Sequence, residues 1–219
     1  MLPEKLAQVQ DRIAAAAARA HRSLDQILLV AVTKKFPASV ICDAYQAGLR
    51  NFGENYVQEF AGKSPALPSL KDARFHLIGH LQSNKTAKAA ELFQVVQTVD
   101  STKLARRLAA ENKPLEVMIE VKLSEEEAKS GADPREIPAL VDAIRNLGNL
   151  RLLGLMTMPP WTTKAEESRP YFVRLRKLAE EHGLPQLSMG MSNDFEVAIE
   201  EGATMIRLGT ALFGPRQKP

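Results

Sequence analysis

Residues 28–37 read LLVAVTKKFP, and this stretch indicates the fold of the chain. Its first five residues are apolar without interruption, which is typical of a parallel strand that is covered on both faces. Two lysines follow the strand at once, and Pro37 suits the first turn of a helix. The stretch therefore predicts a buried strand that passes through a short polar junction into a helix, which is the repeating unit of α/β proteins.

The same alternation continues along the chain. Strands are predicted at 27–33, 51–52, 75–78, 95–99, 116–121, 151–156, 187–189 and 205–208. Helices are predicted at 3–21, 38–47, 56–63, 85–92, 102–112, 134–147, 164–181 and 193–200. Eight strands that alternate with helices predict a single TIM-type (β/α)8 barrel with one extra helix at its N-terminus. A doubly wound open sheet is the alternative, but that fold usually carries a glycine fingerprint after its first strand, and residues 33–35 contain none.

The composition favours one domain that spans residues 1–219. A hydrophobic content of 45% allows a full core, while a net charge of +3 without a block of basic residues argues against a nucleic-acid partner. The single cysteine, Cys42, fits a reducing compartment, and no signal core or membrane-length apolar run occurs, so we expect a cytoplasmic protein without membrane contact. His76 and His80 have no third ligand nearby, so no metal site is predicted.

Lys34 is a candidate for covalent chemistry. A lysine at the end of a buried strand meets a low dielectric, which disfavours its charged form and lowers its pKa. A lysine that loses its proton can form a Schiff base with an aldehyde. On this segment alone, however, the plainer interpretation is favoured, in which Lys34 and Lys35 are solvated residues that open a loop.

The ends of the seventh and eighth strands carry residues that suit an anion. Gly190 lets the backbone approach a ligand closely, Ser192 is a candidate N-cap, and the N-terminus of the following helix offers free N–H groups. Gly209 and Thr210 add two N–H donors and a hydroxyl. Each feature alone is explained by a cap or a turn. Their coincidence at the two strands where barrels often bind phosphate favours an anion site.

Arg207 lies on the eighth strand, and together with Lys34 and the anion site it suggests one ligand. That ligand would carry an aldehyde, a phosphate and a hydrogen-bond acceptor between them, as pyridoxal 5′-phosphate (PLP) does. The alternative is that Arg207 pairs with Glu196 or Glu200, because arginines near strand ends often bind carboxylates. The residues themselves leave both interpretations open.

Seven motifs resemble those of the pyridoxal phosphate homeostasis proteins, the YggS/PROSC family, which is similar to the barrel domain of alanine racemase. The resemblance covers residues 27–214. It rests on AVTK (31–34), NFGENYVQE (51–59), FHLIGHLQSNK (75–85), KSG (129–131), GLMTMP (154–159), LSMGMSND (187–194) and RLGTALFG (207–214). Such a resemblance implies a PLP-binding barrel of the alanine racemase type, which is called fold type III.

The resemblance also implies roles for individual residues. Lys34 would hold the cofactor as an internal aldimine, Ser192, Gly209 and Thr210 would bind its phosphate, and Arg207 would face the pyridine nitrogen. Motif residues at two further strand ends complete the set. The expected cofactor-binding residues are Lys34, Asn55, Met156, Ser192, Arg207, Gly209 and Thr210.

The function implied by the resemblance is intracellular vitamin B6 homeostasis, in which the protein buffers or delivers PLP. A PLP-dependent racemase or lyase of low activity is the alternative, but it would need acid and base groups on both faces of the cofactor. Alanine racemase takes a tyrosine from a second domain, whereas this chain ends just after its eighth strand. Of Tyr45, Tyr56 and Tyr171, only Tyr56 lies near a strand end. We therefore assign no catalytic residue, and expect a monomer whose partners are PLP and apo PLP-dependent enzymes.

Overall fold

The computed structural model describes residues 1–124 and 130–215. Its strands are β1 (Leu28–Val32), β2 (Asn51–Glu54), β3 (Arg74–Leu77), β4 (Val95–Val99), β5 (Leu115–Glu120), β6 (Leu150–Met156), β7 (Gln186–Ser188) and β8 (Met205–Leu208). Each strand pairs in parallel with the next, and β8 returns to pair with β1, so the sheet is a closed barrel. The predicted (β/α)8 barrel is confirmed, and the open-sheet alternative is wrong. Of the sequence motifs, Lys129 in KSG lies outside the described residues.

Helices connect the strands on the outside of the barrel. They are α1 (Leu2–Arg19), α2 (Ala38–Gln46), α3 (Val57–Lys63), α4 (Thr86–Leu92), α5 (Thr102–Ala109), α6 (Ile137–Arg145), α7 (Arg169–Glu181), α8 (Phe195–Glu200) and α9 (Thr210–Phe213). The extra helix α1 is confirmed, and it packs against α8 and α9 through buried residues that include Leu6, Val9 and Ile13. Helix α9 is missing from the predicted set because four residues are too few to show a helical period.

The start of α8 differs from the prediction. The helix begins at Phe195, and its N-cap residue is Asp194. Ser192 therefore lies in the loop before the helix, and its prediction as an N-cap is wrong. Helix termini are set by a few local hydrogen bonds, so apolar periodicity leaves them uncertain by one or two residues.

Strand residues alternate between the inside and the outside of the barrel. Leu28 pairs with Met205 and packs beside it in an inner cluster, whereas Ala31 belongs to the larger core that the barrel shares with the helices. Val32 lies on the inner face again and lines a cavity at the end of the strand. Lys34 follows Val32 by two residues, so the same alternation directs its side chain towards the inside of the barrel, where it lines the cavity.

Two further observations bear on the predicted class of protein. None of the helices among the described residues combines the length and the apolar composition that a membrane crossing needs. Within the same residues, histidine, cysteine and carboxylate side chains form no group of three that could share a metal ion.

Candidate functional site

A cavity of about 360 Å³ lies at the carboxyl ends of the strands, and its size suits a small organic ligand. Its walls come from residues at or just after the ends of β1, β2, β3, β6, β7 and β8. Six of the seven predicted site residues line it, namely Lys34, Asn55, Ser192, Arg207, Gly209 and Thr210. The closure of the barrel explains this convergence, because it brings residues that are far apart in sequence to one end of the sheet.

The turn after β1 separates the two lysines. Lys34 lines the cavity, whereas Lys35 is exposed and adopts a left-handed backbone conformation with a φ of 64°. This conformation is costly for a residue with a side chain, so local contacts must hold it. One of them is the Lys35 N–H, which donates to Oε1 of Glu59 over 2.5 Å. The turn thereby presents one lysine to the cavity and the other to solvent.

A buried ion-pair network fixes the backbone beside Lys34. The Thr33 hydroxyl donates to Oε1 of Glu54 over 2.7 Å, and Nζ of Lys63 donates to the same oxygen over 2.9 Å. Lys63 also donates to the Thr33 carbonyl over 3.0 Å and pairs with Glu59 over 2.6 Å. Burial raises the pKa of Glu54, while the contact with Lys63 opposes that rise. The network holds the end of β1 and the turn from the side opposite the cavity.

Asn55 presents an acceptor at the edge of the cavity. Its Oδ1 is buried and has no hydrogen-bond partner among the described residues. Gly79 allows the end of β3 to pass very close to it, since a Cβ on Gly79 would lie 2.3 Å from the Asn55 carbonyl oxygen. A buried acceptor without a donor is unfavourable, so Oδ1 is suited to receive a hydrogen bond from a ligand.

The loops after β7 and β8 are tied to each other. Oγ of Ser192 accepts a hydrogen bond from the Ala211 N–H over 3.2 Å, which joins the first loop to the start of α9. Asp194 accepts from the Met191 N–H over 2.7 Å and from the Ser168 hydroxyl over 2.8 Å. Thr210 is the first residue of α9, where backbone N–H groups have no partner within the helix. The two loops therefore form one connected wall with donors for an anion.

The backbone of Gly190 lies close to α8. Its φ is 92°, and a Cβ there would lie 2.5 Å from Cβ of Ala198 and 3.0 Å from Cα of Phe195. These atoms belong to α8, and Gly190 is not among the residues that line the cavity. The glycine is required for the turn and for packing against the helix, and its close approach to a ligand stays a prediction.

Arg207 extends into the barrel interior and is only 3% exposed. Its Nη1 donates to Oγ of Ser188 over 2.7 Å, and its Nη2 donates to the Thr157 carbonyl over 2.9 Å. Burial lowers its pKa to about 10, so the guanidinium remains charged at neutral pH. Glu196 and Glu200 pair with arginines of α1 and α7 instead, which excludes the carboxylate alternative left open by the sequence.

Met156, the seventh predicted residue, lies elsewhere. It is fully buried in the inner cluster with Met118 and Met205, and it is not among the residues that line the cavity. Sequence reasoning missed the wall that the loop after β6 provides. That wall consists of Met158, Pro160, Trp161 and Thr162. The available signal was the only tryptophan of the chain, placed directly after two prolines at a strand end.

A second cavity of about 530 Å³ shares Met158, Trp161 and Met191 with the first. It contains Glu120, which is 2% exposed and accepts a hydrogen bond from the Ser130 hydroxyl over 3.3 Å. Burial raises the pKa of Glu120 to about 7, and Asp100 adds to that effect. The carboxyl group is therefore partly protonated at neutral pH.

Fold and site together define a class of protein, a parallel barrel in which a lysine after the first strand shares a cavity with polar groups of the loops after β7 and β8. A family model described as "Alanine racemase, N-terminal domain" matches residues 5–217. The "Pyridoxal phosphate homeostasis protein" of Pseudomonas aeruginosa is 47% identical over 98% of this chain and 96% of its own length. Its namesake in Escherichia coli K12 is 42% identical over 98% and 97%. The chain belongs to the alanine racemase N-terminal domain family, in the branch of the pyridoxal phosphate homeostasis proteins.

Solved structures agree with this assignment. PipY of Synechococcus elongatus, solved with PLP bound, is 37% identical and superposes with a TM-score of 0.87 over 98% of this chain and all of that chain. An alanine racemase of Corynebacterium glutamicum is 19% identical, with a TM-score of 0.68 over 94% of this chain and 60% of the racemase. The second likeness is one of fold alone.

Proposed function

We propose that this protein binds PLP covalently through Lys34 and serves vitamin B6 homeostasis by holding and handing over the cofactor. One observation carries the proposal, namely that a single cavity brings Lys34 together with Arg207 and with the wall formed by Ser192, Gly209 and Thr210. The relatives named for this role and the PLP complex of PipY support it.

The side chains fit the three polar parts of PLP. PLP supplies an aldehyde that condenses with a lysine amine, and Lys34 is the cavity lysine that the turn after β1 presents. Donors at the start of α9 and the Ser192 hydroxyl suit a phosphate. Arg207 suits an acceptor such as a ring nitrogen, because a guanidinium only donates hydrogen bonds. Asn55 joins this proposed set, and Met156 is omitted from it.

The cavity favours storage of the cofactor over turnover. Its acidic and basic side chains, within the described part of the chain, are Lys34, Asp194 and Arg207. Both carboxylate oxygens of Asp194 already accept hydrogen bonds, and Arg207 stays protonated. A racemase or lyase needs a second group that exchanges protons with the substrate. We infer that the protein is not an enzyme and that racemisation stays at background.

The wider setting follows from the same proposal. We infer that residues 1–219 act as one PLP-binding unit, that the protein is a cytoplasmic monomer, and that apo PLP-dependent enzymes receive the cofactor from it. The single cysteine supports a reducing compartment. Sedimentation velocity of the purified protein with and without PLP tests the monomer.

Trp161 provides a direct binding assay, because it is the only tryptophan and it lines the cavity while 75% exposed. PLP absorbs where tryptophan emits, so binding should quench its fluorescence and turn the protein yellow. Lys34→Ala should abolish the colour, and Lys35→Ala is the matched control that should retain it. Borohydride reduction followed by peptide mapping identifies the modified residue. Labelling of Lys35, or of no lysine, would contradict the proposed site.

Phosphate recognition is tested by comparing PLP with pyridoxal. Hydrogen bonds to a charged group contribute roughly 1.5–3 kcal/mol each, so pyridoxal should bind at least tenfold more weakly. Ser192→Ala should weaken PLP binding and leave pyridoxal binding nearly unchanged. Equal affinity for the two ligands would rule out the anion wall.

Two kinetic measurements distinguish holding from turnover and delivery. With PLP-loaded protein and a panel of L-amino acids in deuterated water, exchange of the α-proton should stay at background. Exchange on the order of 1 s⁻¹, lost in Lys34→Ala, would establish an enzyme. For delivery, loaded protein is mixed with an apo PLP-dependent enzyme. Recovery of activity faster than release of PLP into solution indicates direct hand-over, whereas recovery at the release rate leaves a buffering role.

A further inference from the structure

A row of hydrogen-bonded polar side chains crosses the inside of the barrel. Arg207 on β8 donates to Oγ of Ser188 on β7 over 2.7 Å, and the Ser188 hydroxyl donates to Oε1 of Gln97 on β4 over 2.6 Å. Nε2 of Gln97 lies 3.0 Å from Nδ1 of His76 on β3, whose Nε2 lies 3.1 Å from Oδ1 of Asn51 on β2. We call these five residues the interior chain.

Four members of the interior chain are sealed from solvent, and Asn51 at its far end is partly exposed. Ser188 and Gln97 are fully buried, and His76 and Arg207 are 1% and 3% exposed. Buried polar groups need partners, and each member of the chain finds one in the next member. Among the described residues, neutral groups accept the hydrogen bonds of Arg207, while the carboxylates of Asp194 and Glu120 act on its charge without forming an ion pair.

Every hydrogen bond in the chain has a fixed direction, which Arg207 sets. A guanidinium can only donate, so Ser188 accepts from it and turns its own hydrogen to the carbonyl end of Gln97. The amide end of Gln97 then faces His76, which must accept at Nδ1 and carry its hydrogen on Nε2, where Asn51 accepts. Burial lowers the pKa of His76 to about 3, which keeps the ring neutral and able to accept. Turning the amide of Gln97 round would leave the buried hydroxyl hydrogen of Ser188 without this acceptor.

We propose that Ser188, Gln97 and His76 are positioning residues, which hold the guanidinium of Arg207 at the floor of the cavity. The inference rests on the proposed PLP site. A carboxylate in the place of Ser188 would offset the charge of Arg207, whereas a hydroxyl does not. A nearby full positive charge disfavours protonation of the ring nitrogen of the cofactor. An unprotonated ring nitrogen withdraws electrons weakly, which suits a cofactor that is stored and not used.

The first test needs no cofactor. Nitrogen-15 NMR of histidine-labelled protein should show one neutral ring with its hydrogen on Nε2, unchanged between about pH 5 and 8, and absent in His76→Asn. The other three histidines serve as internal references. A charged His76 ring at neutral pH, or a hydrogen on Nδ1, would overturn the inference even if PLP binds as proposed.

The second test uses PLP labelled with nitrogen-15 in its ring. In the natural protein the ring nitrogen should keep the chemical shift of an unprotonated nitrogen at neutral pH. Ser188→Ala should move the signal towards the protonated form and raise the Kd for PLP about tenfold, as loss of a hydrogen bond to a charged group does. Ser188→Thr keeps the hydroxyl and should restore both values.

Gln97→Leu breaks the chain one bond further from the cavity and should move the ring-nitrogen signal in the same direction as Ser188→Ala. Circular dichroism and urea unfolding confirm that each variant is folded, and Trp161 quenching confirms that PLP is bound. An unchanged ring-nitrogen shift in folded, PLP-loaded Ser188→Ala and Gln97→Leu would overturn the inference. Absence of PLP from the natural protein would instead overturn the proposed function, so the two failures are distinguishable.

Discussion

Glu120→Gln is expected to change how the stability of the protein depends on pH. The carboxyl group of Glu120 has an ordinary pKa of 4.5 when unfolded, and burial raises the pKa to about 7 in the folded protein. The folded state therefore keeps its proton between these two values while the unfolded state releases it. Because the unfolded state binds fewer protons over this range, the free energy of unfolding falls as the pH rises.

The magnitude follows from the difference of about 2.5 between the two pKa values. Each pKa unit corresponds to about 1.4 kcal/mol, so the free energy of unfolding of the natural protein should fall by about 3 kcal/mol relative to that of Glu120→Gln between about pH 4.5 and 7. Below about pH 4.5 the side chain at position 120 is neutral in both proteins, so the difference between their free energies of unfolding is constant. Any cost of burying the glutamine amide adds a constant offset and leaves the slope unchanged.

Urea unfolding of both proteins at several pH values measures this difference directly. Glu116→Gln is the matched control on the same strand. Burial alone would raise the pKa of Glu116, but hydrogen bonds from Arg151 and Arg74 outweigh it and lower the pKa. The contribution of Glu116 is therefore present at neutral pH and lost in acid, which is the opposite sign. A flat difference for Glu120→Gln, or the same sign in both variants, would refute the reasoning.

Two further predictions concern the scaffold of the site, and urea unfolding measures both. Lys63→Met leaves the fully buried carboxylate of Glu54 without its cation and should lower the free energy of unfolding by about 3–5 kcal/mol. The double variant that adds Glu54→Gln should recover part of this loss. A loss below about 1 kcal/mol would show that the pair is not buried in solution. Gly190→Ala should cost about 1–3 kcal/mol more than Gly48→Ala, because both residues have a positive φ but only Gly190 would place its Cβ against Ala198. Equal costs at the two glycines would contradict the packing.

The barrel was predictable because its signals are long and repeated. Most strands contain an apolar run and the main helices show a clear period, so eight repeats outweigh an error in any one of them. The predicted ends of β4 and β8 agree with the structure, whereas α6 and α7 begin later than their patterns suggest. Short 3₁₀ turns precede both helices, and apolar spacing does not separate such turns from an α-helix.

The site was predictable where the strand ends determine it. Lys34 and Arg207 lie at positions that the closed barrel must bring together, and their chemistry is evident from residue type. The wall around Trp161 was not predictable, because the conformation of the loop after β6 depends on contacts that no period encodes. Met156 ends β6 inside the barrel, and the loop after it brings Met158 to the cavity.

The polar residues inside the barrel can also be recognised in the sequence, although a search for apolar patterns does not use them. Gln97 lies among the valines of β4 and Ser188 lies between Leu187 and Met189, and a polar side chain on the inner face of a barrel needs a partner across it. Treating such residues as partners of one another links His76 and Gln97 to Arg207 from residue types and strand positions alone. Sequence still does not give the direction of the hydrogen bonds, which depends on which atoms face each other.

The charges of the barrel interior give the unliganded protein a reason to bind an anion. Arg207 keeps its charge, His76 is neutral and Glu120 is only partly ionised near neutral pH. The floor of the cavity therefore carries a buried positive charge on which Asp194 and Glu120 act without forming an ion pair, and burying such a charge costs stability in the absence of a ligand. Under the proposed function, the phosphate of PLP would bring negative charge to the same cavity and lower that cost. Binding and stability are thereby linked, because whatever binds the folded state alone stabilises it.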